Sequence, residues 1–324
     1  MKMGVVGAGA WGTALAQVLA GDGELVRLWA FERHVAENIN RDHANAAYLP
    51  GIALSPVIEA TSDLAYLGDR DALLIVAPAQ HVRGILGDLP RPDIPLVLCA
   101  KGIEAGTGKL MSQVAEDVLR AAPVAVLSGP TFAHEVAAGL PGAVTLACAD
   151  PQLGQRLVDR IARPTFRPYL SDDVVGAEIG GAVKNVLAIA CGVAEGAGLG
   201  FNARAALISR GFAEMSRLGM KLGARAETLT GLSGLGDLVL TCTSTNSRNF
   251  SLGKGLGEGK PAAELLGNRL TVAEGAFTAP VLRDVARAAG VDMPLVECVC
   301  ALIEGGVSVP ETIGALLARP LRSE

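Results

Sequence analysis

The chain has 324 residues, of which 50% are hydrophobic and 4% aromatic, with a formal net charge of -5 and a pI near 5.5. This length allows two domains with large apolar cores. The acidic balance argues against a nucleic-acid or anionic-membrane surface, which would require a basic excess. We therefore expect no nucleic-acid partner.

The cysteines and histidines give no sign of a disulfide framework or a metal site. Six cysteines lie at irregular spacing, mostly within apolar runs, and none forms a CxxC pair. In a chain of this length, the pattern favours core packing in a reducing cytoplasm. His134-Glu135 lacks the second histidine of the zinc-protease pattern, which has Ala138 in its place. We predict no metal and a cytoplasmic protein.

The opening segment predicts a strand, then a glycine loop, then a helix. Residues 3–6 form an apolar run, and Gly7, Gly9 and Gly12 give the pattern GxGxxG. In dinucleotide-binding proteins these glycines permit a tight turn, the approach of a pyrophosphate and close helix–strand packing. The helix N-terminus then receives the negative charge. Because a second strand follows at 25–29, we predict dinucleotide binding.

The end of this second strand bears on the choice between NAD(H) and NADP(H). Enzymes selective for NAD usually carry an acid there, which holds the ribose 2′-hydroxyl. No acid stands at Ala30, whereas Arg33 and His34 follow within a few residues and could meet a 2′-phosphate. NADP(H) is therefore favoured. Glu32 leaves NAD(H) open, because its distance from Gly12 also matches the fingerprint.

The remaining pattern predicts two domains. Further apolar runs alternate with helical stretches at 72–77, 96–99, 124–127 and 143–147. Such runs indicate a parallel sheet covered on both faces, with ligands beyond the carboxyl ends of the strands. We predict an α/β N-terminal Rossmann-type domain with a doubly wound, parallel-rich sheet at 1–175, followed by an all-α C-terminal domain at 176–324.

Lys184 lies within an almost wholly apolar stretch at 177–194. The stretch is of membrane-spanning length, but polar residues interrupt it, so we expect a buried helix and no integral membrane segment. A lysine in such surroundings either reaches water, pairs with an acidic residue, or has its pKa lowered by desolvation. Glu178, six positions away, lies on a different helix face. Gly180 and Gly181, one turn back, indicate the close approach of another backbone or of a ligand, and we expect them to clear space for a ligand. A structural ion pair of Lys184 remains an alternative.

A glycine- and hydroxyl-rich segment at 231–260 contains Asp237 and the run Ser247, Arg248, Asn249. A forked guanidinium beside amide and hydroxyl groups is suited to binding a phosphate or another oxyanion. The alternative interpretation is a generic flexible loop. We expect Asp237, if it lies near Lys184, to oppose the loss of the lysine's charge.

Six segments together resemble the bacterial NAD(P)-dependent glycerol-3-phosphate dehydrogenases over essentially the whole chain. They are GAGAWGTALA at 7–16, the lysine–glycine pair at 101–102, SGPTFAHEV at 128–136, VKNVLAIACG at 183–192, GLGFNARAALISRG at 198–211 and GLGDLVLTCTSTNSRNFSLG at 234–253. The resemblance implies reversible reduction of dihydroxyacetone phosphate to sn-glycerol 3-phosphate, the glycerophospholipid backbone. It also implies a homodimer.

The resemblance further implies roles for single residues. Lys184 matches the proton donor and acceptor of the family. The positions that match the substrate pocket are Lys101, Gly129, Thr131, Asn185, Asp237, Thr241, Ser247, Arg248 and Asn249. The positions that match the coenzyme site are Gly7, Gly9, Ala10, Trp11, Gly12, Arg33, His34, Lys101, Ala133, Arg248, Val272 and Glu274. Ala10 stands where the family often has Ser or Thr, and Thr131 stands where it often has Ser. Both changes keep the positions small or hydroxylated.

Three other functions are compatible with parts of the pattern. A related dehydrogenase could act on a hydroxy acid or a ketopantoate-like substrate, but Arg248-Asn249 favours a phosphate. A dinucleotide sensor without catalysis would have no need of Lys184 in an apolar pocket. A structural protein would leave the GxGxxG loop without a use.

Overall fold

The structure is a computed structural model that describes residues 1–267 and 273–320. Within these residues, the N-terminal part of the chain contributes the strands Met3–Val6 (β1), Val26–Trp29 (β2), Ile58–Thr61 (β3), Ala72–Ile75 (β4), Leu96–Leu98 (β5), Val124–Ser128 (β6), Gly142–Cys148 (β7) and Phe166–Ser171 (β8). They form a single sheet in the order β3-β2-β1-β4-β5-β6-β7-β8. Apolar clusters pack on both of its faces, which is the predicted layered α/β arrangement.

The helices divide between those that cover the sheet and those that follow it. The first group is Ala10–Leu19 (α1), Arg33–Asp42 (α2), Val82–Gly87 (α3), Met111–Val118 (α4), Ala133–Ala137 (α5) and Pro151–Ile161 (α6). The second group is Val174–Gly196 (α7), Gly200–Lys221 (α8), Ala226–Thr230 (α9), Asp237–Cys242 (α10), Arg248–Gly257 (α11), Ala262–Leu266 (α12), Glu274–Ala288 (α13), Pro294–Glu304 (α14) and Val309–Leu317 (α15). Short 3₁₀ turns at Ala20–Asp22, Leu64–Leu67 and Ala79–His81 and a π-helical turn at Leu232–Gly236 complete the elements.

The sequence pattern predicted six of these strands and missed β3 and β8, which lie at the two edges of the sheet. Both missed strands alternate in burial: Glu59 is exposed in β3, and Arg167 is exposed beside the buried Phe166 in β8. A strand with one solvated face lacks the continuous apolar run that marks a central parallel strand. Pro168 also lies in β8, a position that an edge strand tolerates.

One pair of neighbours departs from a fully parallel sheet. β7 runs antiparallel to β6, with Ser128 opposite Thr145, while the other neighbouring strands are parallel. The carboxyl ends of β1, β4, β5 and β6 therefore meet at the same edge of the sheet. The amino end of β7 lies at that edge too, so the segments following these strands can converge on one site.

The central helix of the second half is α7. The side chain of Asp173 caps it by accepting a hydrogen bond from the Gly176 amide at 2.8 Å. By length and composition α7 could cross a membrane, but 83% of its apolar window is buried inside the fold. It packs as a core helix. Helix α8 follows directly and begins at Gly200.

Glycines bring α7 and α11 to backbone contact. A Cβ atom on Gly192 would lie 2.1 Å from the carbonyl oxygen of Phe250. In the other direction, a Cβ atom on Gly253 would lie 2.0 Å from the carbonyl oxygen of Ile189. Neither helix can accept a side chain at these positions without moving away from the other. The close approach fixes α11 relative to the buried face of α7.

We predict that Gly192→Ala lowers the free energy of unfolding by about 1–3 kcal/mol, because overpacking separates the two helices. Gly314→Ala is the matched control, since a Cβ atom at this glycine of α15 meets nothing within 4 Å. In the control the free energy of unfolding should stay the same or rise by roughly 0.5–1 kcal/mol, because alanine has the higher helix propensity. Urea unfolding of both variants measures the difference. Equal effects would show that the helices are not held at backbone contact.

Candidate active site

The glycine loop joins β1 to α1 and has the shape that a pyrophosphate requires. Gly7 has a φ of 115°, and a Cβ atom on Gly12 would lie only 1.8 Å from the carbonyl oxygen of Gly7. These two positions exclude side chains for reasons of conformation and packing. Gly9 differs, because a Cβ atom there meets nothing within 4 Å. The open space beside Gly9, at the N-terminus of α1, can receive an anion.

Further features of this loop fit an anionic dinucleotide. The first turn of α1 contains no acidic residue, and the α1 N-cap makes no side-chain hydrogen bond. The indole Nε1 of Trp11 is buried without a hydrogen-bond partner in the described chain. Ala10, Trp11 and Ala133 pack against the same apolar cluster, which brings the start of α5 to the loop. The residues present thus fit the predicted coenzyme.

The end of β2 presents both kinds of group that were considered for the ribose. Glu32 is the N-cap residue of α2, and its Oε1 accepts a hydrogen bond from the Tyr48 hydroxyl at 2.7 Å. Arg33 donates to Glu37 at 2.9 Å, with 83% of its side chain exposed, and His34 is exposed beside it. A carboxylate and an exposed cation therefore lie at this strand end. The sequence pattern missed Tyr48, since nothing in a loop segment signals a contact made 16 positions away.

A carboxylate shared by two lysines forms the centre of the site. The buried Nζ of Lys184 donates to Oδ1 of Asp237 at 2.7 Å and to Oγ1 of Thr241 at 2.9 Å. Nζ of Lys101 donates to Oδ2 of Asp237 at 2.6 Å and to the carbonyl oxygen of Gly129 at 3.3 Å. Asp237 is 0% exposed. The segments that follow β5 and β6 thus meet α7 and α10 at one point.

Burial and charge act against each other at this centre. Burial lowers the pKa of Lys184 to about 8, the negative charge of Asp237 opposes that shift, and the charge of Lys101 adds to it. Burial alone would raise the pKa of Asp237, but the two ammonium groups hold it below its ordinary value. The result is a carboxylate that stays ionised and a lysine that can gain or lose a proton near neutral pH.

Glu178, on the same helix, has a separate partner. Its carboxylate accepts a hydrogen bond from the backbone amide of Ser112 at 2.8 Å, and a second from the Ser112 hydroxyl. The expectation that Glu178 does not pair with Lys184 is therefore confirmed. Burial raises the pKa of Glu178 to about 7, and the hydrogen bonds from Ser112 partly oppose this shift.

The two glycines one turn before Lys184 have different surroundings. A Cβ atom on Gly180 would lie 2.3 Å from the carbonyl oxygen of Ser233, in the π-helical turn that precedes Asp237. The expectation that Gly180 clears space for a ligand is therefore wrong, since it admits this backbone instead. A Cβ atom on Gly181 would lie 3.2 Å from Cγ of Lys101, so Gly181 does border the lysine centre.

The candidate oxyanion element begins α11. The Ser247 hydroxyl caps this helix by accepting a hydrogen bond from the Phe250 amide at 3.2 Å. Arg248 is the first residue of the helix, and its side chain is exposed. A cation beside helix amide groups is a favourable place for a phosphate.

Asn249 links α11 to two other helices. Its Nδ2 donates to Oδ1 of Asn185 on α7 at 3.0 Å, and its Oδ1 accepts from the Gly275 amide at 2.9 Å. Glu274, the first residue of α13, is beside this link. Burial raises the pKa of Glu274, and the nearby charges of Arg248 and the two lysines oppose the shift. These interactions bring the start of α13 towards the lysine centre.

Two other predicted residues need separate mention. The Thr131 hydroxyl, after β6, donates to the carbonyl oxygen of Gly129 at 3.4 Å, beside the contact that Lys101 makes. Val272 lies outside the described residues. Among the described residues, no group of three or more His, Cys, Asp or Glu side chains could hold a metal ion.

The doubly wound sheet, the open glycine loop and the buried lysine–carboxylate centre together define an NAD(P)-dependent dehydrogenase. Sequence models of this class match both halves of the chain: the NAD-dependent glycerol-3-phosphate dehydrogenase N-terminus matches residues 2–154 and the C-terminus matches residues 173–314. The chain belongs to the NAD-dependent glycerol-3-phosphate dehydrogenase family. It is thus an oxidoreductase that acts on a CH–OH group.

Individual relatives agree with this assignment. The glycerol-3-phosphate dehydrogenase (NAD(P)+) of Novosphingobium aromaticivorans is 63% identical over 324 residues, covering 100% of this chain and 98% of the relative. A crystal structure of glycerol-3-phosphate dehydrogenase from Coxiella burnetii is 38% identical, with a TM-score of 0.93, covering 98% of this chain and 99% of the other. A ketopantoate reductase from Ralstonia eutropha has a TM-score of 0.61 at 16% identity, over 97% of this chain and 100% of the other, which is a likeness of fold alone.

Proposed function

We propose that Lys184 is the general acid and base in the interconversion of dihydroxyacetone phosphate and sn-glycerol 3-phosphate. The observation that carries the proposal is the hydrogen bond of 2.7 Å between the buried Lys184 and Asp237. A lysine that titrates near neutral pH can both give and take a proton. Membership of the glycerol-3-phosphate dehydrogenase family supplies the substrate.

The chemistry assigns a task to each member of the lysine centre. NAD(P)H, when bound, supplies a hydride to the ketone carbon. As charge develops on the ketone oxygen, the Lys184 ammonium donates a proton to it, and in the reverse direction the neutral amine accepts the hydroxyl proton. Asp237 keeps Lys184 protonated for reduction, while burial keeps its pKa low enough for the proton to leave. Lys101 and Thr241 hold Asp237 and Lys184 in place.

The phosphate of the substrate binds at the start of α11 in this proposal. Arg248 supplies the forked guanidinium, and the N-terminus of α11 adds its amide groups. The rest of the substrate pocket is formed by Lys101, Gly129, Thr131, Asn185, Asp237, Thr241, Ser247 and Asn249. In this proposal the coenzyme is held by Gly7, Gly9, Ala10, Trp11, Gly12, Arg33, His34, Lys101, Ala133, Arg248 and Glu274. The resemblance to the family adds Val272, which lies outside the described residues.

We further propose a coenzyme domain at 1–175 and a substrate domain at 176–324. The separate matches of the family's N- and C-terminal models, at 2–154 and 173–314, support a division near this point. A cytoplasmic location is supported by the six free cysteines of the described chain. The resemblance to the family also supports a homodimer, whose direct test is sedimentation of the purified protein.

We predict that Lys184→Ala binds NADPH with unchanged affinity and loses nearly all turnover, on the order of 10²–10⁴-fold from the proton transfer alone. Lys184 is not among the residues proposed to hold the coenzyme, which is why binding should persist. NADPH oxidation with dihydroxyacetone phosphate measures turnover, and NADH in parallel reports the coenzyme preference. Lys221→Ala, at the exposed end of α8, is the control. Near-normal turnover of the Lys184 variant would remove this lysine from the mechanism.

We predict that Arg248→Ala raises the KM for dihydroxyacetone phosphate by roughly 10- to 100-fold, the range expected for loss of a charged hydrogen bond. Initial-rate kinetics at saturating NADPH provide the value. Arg287→Ala is the matched control, because this exposed arginine of α13 pairs with Glu297 at 2.8 Å. A change confined to coenzyme affinity would show that Arg248 does not bind the phosphate.

A further inference from the structure

Asn45 lies in the segment between α2 and β3 but makes its contacts inside the glycine loop. Its side chain is 2% exposed. Nδ2 donates to the carbonyl oxygen of Ala8 at 2.8 Å and to Oγ1 of Thr13 at 2.9 Å. The Thr13 hydroxyl in turn donates to the same carbonyl oxygen at 3.2 Å. Two buried donors, from α1 and from a distant segment, thus hold one peptide group of the loop.

The orientation of that peptide group decides where the next amide points. In a trans peptide the C=O and the following N–H point in opposite directions, and the described chain has no cis peptide bonds. Because Asn45 draws the Ala8 carbonyl inwards, the Gly9 N–H is directed away from Asn45. Within the described chain, this amide has no hydrogen-bond partner. It therefore points out of the loop as a free donor, at the glycine beside which the structure leaves open space.

The same segment also reaches the ribose end of the coenzyme site. Oδ1 of Asn45 accepts a hydrogen bond from the Tyr48 amide at 3.2 Å. The Tyr48 hydroxyl donates to Glu32, at the end of β2, at 2.7 Å. The short segment from Asn45 to Tyr48 therefore connects the pyrophosphate end of the proposed coenzyme site with its ribose end. Both ends of the buried Asn45 amide are thus hydrogen-bonded within the proposed coenzyme site.

We propose that Asn45 is a positioning residue for the coenzyme, which fixes the Ala8–Gly9 peptide so that the Gly9 N–H faces the pyrophosphate. The inference rests on the proposed coenzyme site at the glycine loop. Asn45 is buried, so it acts through the loop and touches no ligand. Its donor group is what matters, because only a donor can hold a carbonyl oxygen.

The test is Asn45→Asp, which keeps the shape and the acceptor for Tyr48 but removes the donor for Ala8. Asn40→Asp is the matched control: Asn40 also joins a backbone carbonyl and amide, those of Ala60 on β3, at 2.8 and 2.7 Å. Two quantities are measured for both variants: the dissociation constant of NADPH, from quenching of protein fluorescence, and the midpoint of thermal unfolding.

We expect Asn45→Asp to weaken NADPH binding by about tenfold or more, because a hydrogen bond is lost and a carboxylate faces the Ala8 carbonyl oxygen. Both variants should lower the midpoint of thermal unfolding by similar amounts, since each loses the hydrogen bond from its side-chain amide to a backbone carbonyl oxygen. Asn40→Asp should leave the dissociation constant of NADPH within about twofold of the original value. The KM for dihydroxyacetone phosphate, at saturating NADPH, should stay unchanged in both. NADPH binding that is normal in Asn45→Asp, or equally weakened in the control, would overturn the proposal.

Two more variants keep the outcomes distinct. If Asn45→Asp does not fold, Thr13→Val removes the second donor to Ala8 and should weaken NADPH binding by a smaller factor; unchanged binding would again overturn the proposal. Gly9→Val tests the coenzyme site itself, since a Cβ atom at this position meets nothing within 4 Å in the fold. Normal binding in Gly9→Val would refute the site at the glycine loop. Lost binding in Gly9→Val with normal binding in Asn45→Asp would refute only the role of Asn45.

Discussion

The structure depends on the sharing of one buried carboxylate, that of Asp237, between the ammonium groups of Lys184 and Lys101. An isolated buried charge would be strongly unfavourable, and two like charges without a counterion more so. The carboxylate stabilises both cations but neutralises only one unit of charge. Each oxygen of the carboxylate pairs with one ammonium group, and desolvation keeps the buried Lys184 responsive to protonation. This is the condition that a group needs if it is to stabilise a developing alkoxide and also release its proton.

The fold brings these groups together through backbone contacts that only glycine allows. Gly180 admits the π-helical turn before Asp237, and Gly192 admits α11, whose first residue is Arg248. The sheet supplies Lys101 from the carboxyl end of β5. The proton-transfer group, the candidate phosphate-binding group and the coenzyme loop thus lie on three elements with little freedom to shift. Such rigidity suits a reaction whose rate depends on the placement of the reacting atoms.

The sequence predicted the central strands, the glycine loop and the long buried helix, because each has a local signature. It missed β3 and β8, whose alternating edge pattern is weak, and it misassigned Gly180, whose partner is a backbone 53 positions away. The pairing of Lys101 with Asp237 spans 136 positions, and no periodicity or spacing signals it. The contacts of Asn45 with Ala8 and Thr13 also join distant positions that no local pattern connects. Local chemistry could be predicted from the sequence, whereas the pairing of distant charges required the fold.

The central claim is that Asp237 sets the proton affinity of Lys184, and the pH dependence of kcat/KM for dihydroxyacetone phosphate reduction tests it directly. Reduction requires the protonated lysine, so kcat/KM should fall as the pH rises through the pKa of Lys184, about 8. Asp237 raises that pKa, so in Asp237→Asn the fall should occur at lower pH. An alkaline limb that stays at the same pH in Asp237→Asn would contradict the account.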